Sequence, residues 1–165
     1  MIARLQEAAV ICVGLLASQV TLSPSQHIQP PSYDQDPRLL ILERFFENRE
    51  SPAKELARDF LIASDENGLD WRLLPSIAFV ESGGGKDCNN NNIFGWDNGK
   101  EYFPSFRAGI LIVANRLATS KLYRDKSLEG ILAVYNPRPG YSALVKSVMA
   151  RLSTDELPQP AMSRL

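Results

Sequence analysis

The sequence predicts a mainly α domain with one small β-hairpin. Serine or aspartate caps recur ahead of stretches whose apolar residues repeat at helical spacing, and proline sits just inside two of those starts. The hairpin is expected at Asp97-Asn98-Gly99-Lys100, a turn sequence between the β-prone runs Ile93–Trp96 and Glu101–Phe103.

Taken in order, Asp36 caps and Pro37 opens a first helix with Leu39, Leu40, Leu42, Phe45 and Phe46 inward, broken at Asn48–Ser51. Ser51-Pro52 repeats that start, and Leu56, Ala57, Phe60, Leu61 and Ala63 form its stripe before Asn67-Gly68 supplies a left-handed stop. Asp70 is the expected cap of a short third helix, with Pro75 in its first turns. Leu73, Leu74, Ile77, Ala78 and Val80 make that helix apolar on nearly every side, so it should be buried. Gly83-Gly84-Gly85 ends it abruptly, and a glycine- and asparagine-rich loop runs on to Asn92. Ser105 starts a helix with Ile110, Leu111, Val113, Ala114 and Leu117 on its core face. Ser127 starts another, with Leu128, Ile131, Leu132 and Tyr135 inward. Asn136–Gly140 is a turn held by two prolines, and the last helix, Tyr141–Leu152, should bury Leu144, Val145, Val148 and Leu152.

The folded domain is therefore expected over residues 36–152. Residues 1–22 read as a signal peptide or N-terminal hydrophobic segment, because Arg4 precedes the apolar run Ala8–Ala17, which is too short to span a bilayer. This favours export to the periplasm or the medium; an uncleaved anchor, or a core helix of a cytoplasmic interaction domain, would fit the same run. Residues 23–35, rich in Pro, Ser and Gln, read as linker, and residues 153–165 as a disordered tail.

A net charge of −1 and no Lys/Arg cluster argue against a nucleic-acid partner. The chain has 1 histidine, His27 in the linker, which removes zinc hydrolysis and Cys–His or Ser–His nucleophiles. Neither metal nor cofactor is expected. Cys88 is left unpaired if the first segment is removed. Carboxylates remain as the acid–base groups. Glu81 lies in the last turn of the buried helix, where apolar neighbours and the helix dipole both disfavour a negative charge. Those conditions keep a proton available, which makes Glu81 the candidate acid catalyst. The alternative is a surface glutamate paired to Lys86 or Arg72.

The run Ile77–Gly83 (IAFVESG) resembles the helix signature of the lysozyme-like superfamily. Asn91–Trp96 (NNIFGW) is similar to the Asn-Leu-Phe-Gly motif of bacterial glucosaminidases, the group that includes flagellar muramidases, and Val134–Tyr141 (VYNPRPGY) resembles the Tyr-Asn segment of lytic transglycosylases. The matches come in family order over residues 69–152. They imply a lysozyme-like helical domain that cleaves the β-1,4 bonds of peptidoglycan glycan strands, with Glu81 as general acid. By the same resemblance Ser82 orients substrate, and Asn92, Phe94, Gly95 and Trp96 contact it. Tyr135 polarises the acid beside Asn136, with Tyr141 as the alternative tyrosine. Pro137 departs from the transglycosylase pattern. A second carboxylate would come from Asp87, Asp97 or Glu101, and the glucosaminidase likeness favours Glu101. Its spacing would decide the stereochemistry, about 5 Å for retention and about 6.5–9.5 Å for inversion. NNIFGW favours hydrolysis over transglycosylation. A glycan-binding scaffold without turnover is the main rival, and it predicts a solvated Glu81 of ordinary acidity.

Overall fold

Six α-helices and one 3₁₀ helix make up the regular structure of residues 32–154, the part of the chain that this computed structural model describes. The segment at 1–22, most of the expected linker and the tail beyond 154 lie outside the described residues. The mainly α class holds: α1 is Pro37–Glu47, α2 Ala57–Glu66, α3 Leu73–Ser82, α4 Phe106–Thr119, α5 Leu128–Tyr135 and α6 Tyr141–Thr154. Among the described residues no helix is long and apolar enough to cross a membrane.

Caps start three of the six α-helices at the expected residues. The Asp36 carboxylate accepts from the Arg38 N–H at 2.9 Å, Ser105 Oγ from Ala108 N–H at 3.1 Å, and Ser127 Oγ from Gly130 N–H at 3.3 Å. Ser51-Pro52 instead opens the 3₁₀ helix Pro52–Leu56, which leads into α2. Asp70 caps the turn before α3, accepting from the Arg72 N–H at 3.0 Å, and α3 begins three residues on.

α3 is the buried strut of the fold, packed against α2 and α6, while α4 packs on α2. Leu73, Leu74, Ile77 and Ala78 are fully enclosed. Beside them lies a run of rings: Phe45 meets Phe46 and Phe79 edge-on, Phe46 stacks on Phe60, and Phe60 meets Phe94 edge-on at 6.4 Å. Three expected core residues face out. Leu40 and Leu111 are each 37% exposed and Leu144 is 52% exposed, because Leu42, Phe45 and Phe46, then Ile110, Val113 and Leu117, then Val145, Val148 and Leu152 already fill the inner stripes of α1, α4 and α6. The domain also starts earlier than position 36. Tyr33 is buried, and its hydroxyl donates to Asp65 at 3.1 Å. At the other end α6 continues two residues past Leu152.

The hairpin does not form; among the described residues there is no strand. Gly95, Asp97, Asn98 and Gly99 all take positive φ (61, 52, 54 and 78°), so left-handed residues extend beyond the expected turn and fold Ile93–Phe103 into successive tight turns. Asparagine side chains take the place of the ladder. Asn91 Nδ2 donates to the Phe103 carbonyl at 2.9 Å, and Asn92 Nδ2 bridges the carbonyls of Trp96 and Glu101 at 2.9 and 3.1 Å.

The end of α3 is closed by a pair of reverse bonds, Gly83 N–H to Phe79 O at 2.9 Å and Gly84 N–H to Ala78 O at 3.0 Å. Ser51 Oγ donates to the Gly83 carbonyl at 2.9 Å, and the Ala53 N–H to that of Gly84 at 3.1 Å. Gly84 has φ of 71°, and a Cβ there would lie 2.3 Å from Ser51 Oγ and 2.9 Å from Ala53 Cβ. Strain and overpacking combine in Gly84→Ala, which should lose about 3 kcal/mol of stability in denaturant unfolding. The same change at Gly68, where a Cβ meets nothing within 4 Å, carries the positive-φ strain alone and should cost about 1 kcal/mol.

Candidate active site

Glu81 is the penultimate residue of α3, half-buried, with its side chain turned out of the core into a cleft of about 980 Å³. Three elements meet on its carboxyl group. α3 supplies the residue, the turn at Gly95 lies against Oε2, and the first residue of α6 bonds Oε1: the Tyr141 hydroxyl donates to it at 2.7 Å. A Cβ on Gly95 would come within 2.7 Å of Oε2, so the glycine leaves the carboxylate its place. Arg72 pairs with Asp70 rather than with Glu81, so the surface ion pair to Arg72 is not formed.

Burial pushes the Glu81 carboxyl above the usual glutamate range, and the Tyr141 bond returns part of that shift by favouring the charged form. Tyr141 itself is pushed far up, first by burial and then by its bond to Glu81, and stays a donor across the working range. Glu101 moves the other way. Arg116 Nη2 holds its Oε1 at 2.8 Å and keeps the carboxyl below the usual range. Both glutamates line the same cleft, as do Asp87 and Asp97.

The residues expected to contact substrate divide into two groups. Trp96, Gly95, Asn136 and Glu101 line the cleft with Glu81. The Trp96 indole is half-buried, edge-on to Tyr135 at 5.6 Å, with the Arg116 guanidinium 5.4 Å from its ring centre. Phe94 does not reach the cleft: it is fully buried against Phe60, because no strand forms to bring it onto one face with Trp96. Ser82 lies on the cleft wall, but its hydroxyl is turned inward, donating to the Ile93 carbonyl at 2.8 Å and accepting from the Gly85 N–H at 2.9 Å. Asn92 also lines the cleft, but its amide is bonded to the backbone. Besides its two donations, its Oδ1 accepts from the Trp96 N–H at 2.9 Å, and the residue is 3% exposed. Ser82 and Asn92 thus build the loop that carries Gly95 and Trp96.

The resemblance favours Tyr135 as the partner of the acid, and Tyr135 does line the cleft, but the hydroxyl on Glu81 is that of Tyr141. Tyr135 donates to the Phe94 carbonyl at 2.5 Å and stacks on Tyr141, with ring centres 6.1 Å apart and 8° between planes. The reason is the Asn136–Gly140 turn. Gly140 has φ of 84°, and the Tyr141 N–H returns to the Arg138 carbonyl at 3.1 Å, which starts α6 with its first side chain over the end of α3. Arg116 and Tyr123 also line the cleft. Neither stood out in the sequence, since both lie in runs that read as an ordinary helix end and a polar connection.

Among the described residues no group of three His, Cys, Asp or Glu side chains is placed to hold a metal ion. No protein-family model, curated protein or solved structure matches the chain.

Two expectations follow for Glu81. In Tyr141→Phe the bond favouring its charged form is gone, so its pKa, read by NMR titration, should rise above the wild-type value. A folded-state pKa above the unfolded one contributes stability that is full below about pH 4 and is lost as pH rises through the folded value. Glu81→Gln keeps an acceptor for Tyr141 without the charge. Its melting temperature relative to wild type should therefore climb between about pH 4 and pH 8.

Proposed function

We propose that this protein is a peptidoglycan glycosidase that cuts the β-1,4 bonds between N-acetylglucosamine and N-acetylmuramic acid, with Glu81 as the general acid. One observation carries the reading. Glu81 is held half-buried by Tyr141 on the wall of a large cleft, with its proton affinity raised, and the half-buried Trp96 indole lines the same cleft. A group in that state can protonate a glycosidic oxygen, and a tryptophan face suits a sugar ring. The sequence likeness to glucosaminidases and lytic transglycosylases points the same way.

The two glutamates of the cleft are pushed in opposite directions, Glu81 up and Glu101 down. Such a pair divides into an acid and a base. In this reading Glu81 donates its proton to the leaving oxygen as the bond opens. Glu101, kept ionised by Arg116, steadies the positive sugar or activates the attacking water. Tyr141 holds the Glu81 side chain in place and, by donating its hydrogen bond, stabilises the charge that appears on the carboxylate after transfer. This favours hydrolysis, of the N-acetylglucosaminidase type that NNIFGW suggests. A glycan-binding scaffold would have no use for a carboxyl of raised proton affinity. Export through the N-terminal segment belongs to the same proposal, since the substrate lies outside the cytoplasm.

Digestion of purified peptidoglycan, followed by mass spectrometry of the products, tests this. Wild type should release reducing N-acetylglucosamine ends. Glu81→Gln should lower kcat by about 10³-fold, and Glu101→Gln by about 10²-fold. Products ending in 1,6-anhydro sugars, with Glu101→Gln fully active, would turn the assignment to a transglycosylase. Equal activity of wild type and Glu81→Gln would overturn Glu81 as the acid.

A further inference from the structure

Glu81 lies between two clefts. Besides the larger one, a second of about 390 Å³ opens on its other side, lined by Arg138, Pro139, Gly140, Tyr141 and Leu144, with Asn136 shared. The two differ in charge. The larger cleft carries Asp87, Asp97 and Glu101, and Arg116, the cation on its wall among the described residues, is spent on Glu101. The smaller cleft carries Arg138 and, apart from Glu81, no carboxylate.

Arg138 is exposed, and its guanidinium bonds no carboxylate among the described residues, whereas Arg38, Arg58, Arg72, Arg107 and Arg116 each have one. Its backbone is firmly placed. Pro137 and Pro139 flank it, its N–H donates to Asn136 Oδ1 at 3.1 Å, and its carbonyl accepts from the N–H of Tyr141, the residue that bonds Glu81. A cation on a stiff turn, tied to the acid and facing an open cleft, can form a forked pair with a carboxylate at little entropic cost.

We infer that the smaller cleft receives a sugar bearing a carboxylate and that Arg138 is the specificity-determining residue that pairs with it. The acidic larger cleft disfavours the same substituent, so the charge pattern sets which way an alternating glycan lies across Glu81. This rests on the glycosidase reading above. In peptidoglycan the carboxylate can be that of the lactyl ether or that of the attached peptide.

The test is calorimetric binding to the full chain carrying Glu81→Gln, with three glycans of matched length. These are chitin oligosaccharides, glycan strands stripped of peptide so that the lactyl carboxylate is free, and strands with peptide attached. The acidic glycans should bind about tenfold more tightly than chitin. Adding Arg138→Gln should bring that ratio close to one, Arg138→Lys should restore part of it, and about 0.5 M salt should shrink it. Whichever acidic glycan loses affinity identifies the carboxylate used. Equal affinity for chitin and the acidic strands, or an equal loss on all three in Arg138→Gln, would overturn the inference. A preference for acidic strands that depends on Arg138, in a protein whose wild type cuts nothing, would sink the glycosidase reading and leave Arg138 standing. Binding of none of the three would sink both.

Discussion

The candidate site is built around one hydrogen bond, from the hydroxyl of Tyr141 to the carboxyl of Glu81. It joins the last turn of α3 to the first residue of α6, through two residues 60 positions apart in the chain. The bond also sets an electrostatic compromise. Burial and the apolar helix drive Glu81 towards its neutral form, and the phenol draws it back towards the ionised one. A carboxyl of raised proton affinity held by a neutral donor suits the proposed acid role. Gly95 is part of the same arrangement, since only the absence of a side chain leaves Oε2 its position.

The loop between α3 and α4 shows how a chain can support a site without regular structure. Its polar groups are satisfied by side chains rather than by a β-ladder. Ser82 ties the end of α3 to Ile93, Asn92 closes the turn from Trp96 to Glu101, and Asn91 and Asn90 hold Phe103. Phe94 anchors this loop in the aromatic core, and its carbonyl receives the hydroxyl of Tyr135. Because Tyr135 stacks on Tyr141, the aromatic core, the loop and the acid form one connected structure. Ser82 and Asn92, which also line the cleft, are bonded into the framework that presents Gly95 and Trp96.

Charge is distributed around this framework with a direction. Acidic groups gather on one side of Glu81, and the cation among them is neutralised by Glu101. On the other side Arg138 stands on a stiff turn with its charge available to a ligand. An uncharged polymer would gain nothing from such polarity. A glycan with an acid on alternate sugars would be oriented by it.

Much of the fold was legible in the sequence because it rests on local rules. Caps such as Asp36, Ser105 and Ser127 satisfy backbone donors within a few residues, and the glycines after Ser82 or at position 68 stop helices by their own conformational freedom. The apolar character of α3 likewise announced that Glu81 would emerge from a buried helix. The sequence could not show that the hairpin would be replaced by turns, since Asn-Gly favours either outcome and the turns are held by Asn92 bonding the carbonyls of Trp96 and, nine residues away, Glu101. Nor could it choose between Tyr135 and Tyr141, or place Arg116 against Glu101. Those pairings depend on how α3, α4 and α6 cross, which long-range packing decides. Periodicity and capping are properties of neighbouring residues, so they are written in the chain; the partner of a carboxyl is set by distance in space, and only the folded structure supplies it.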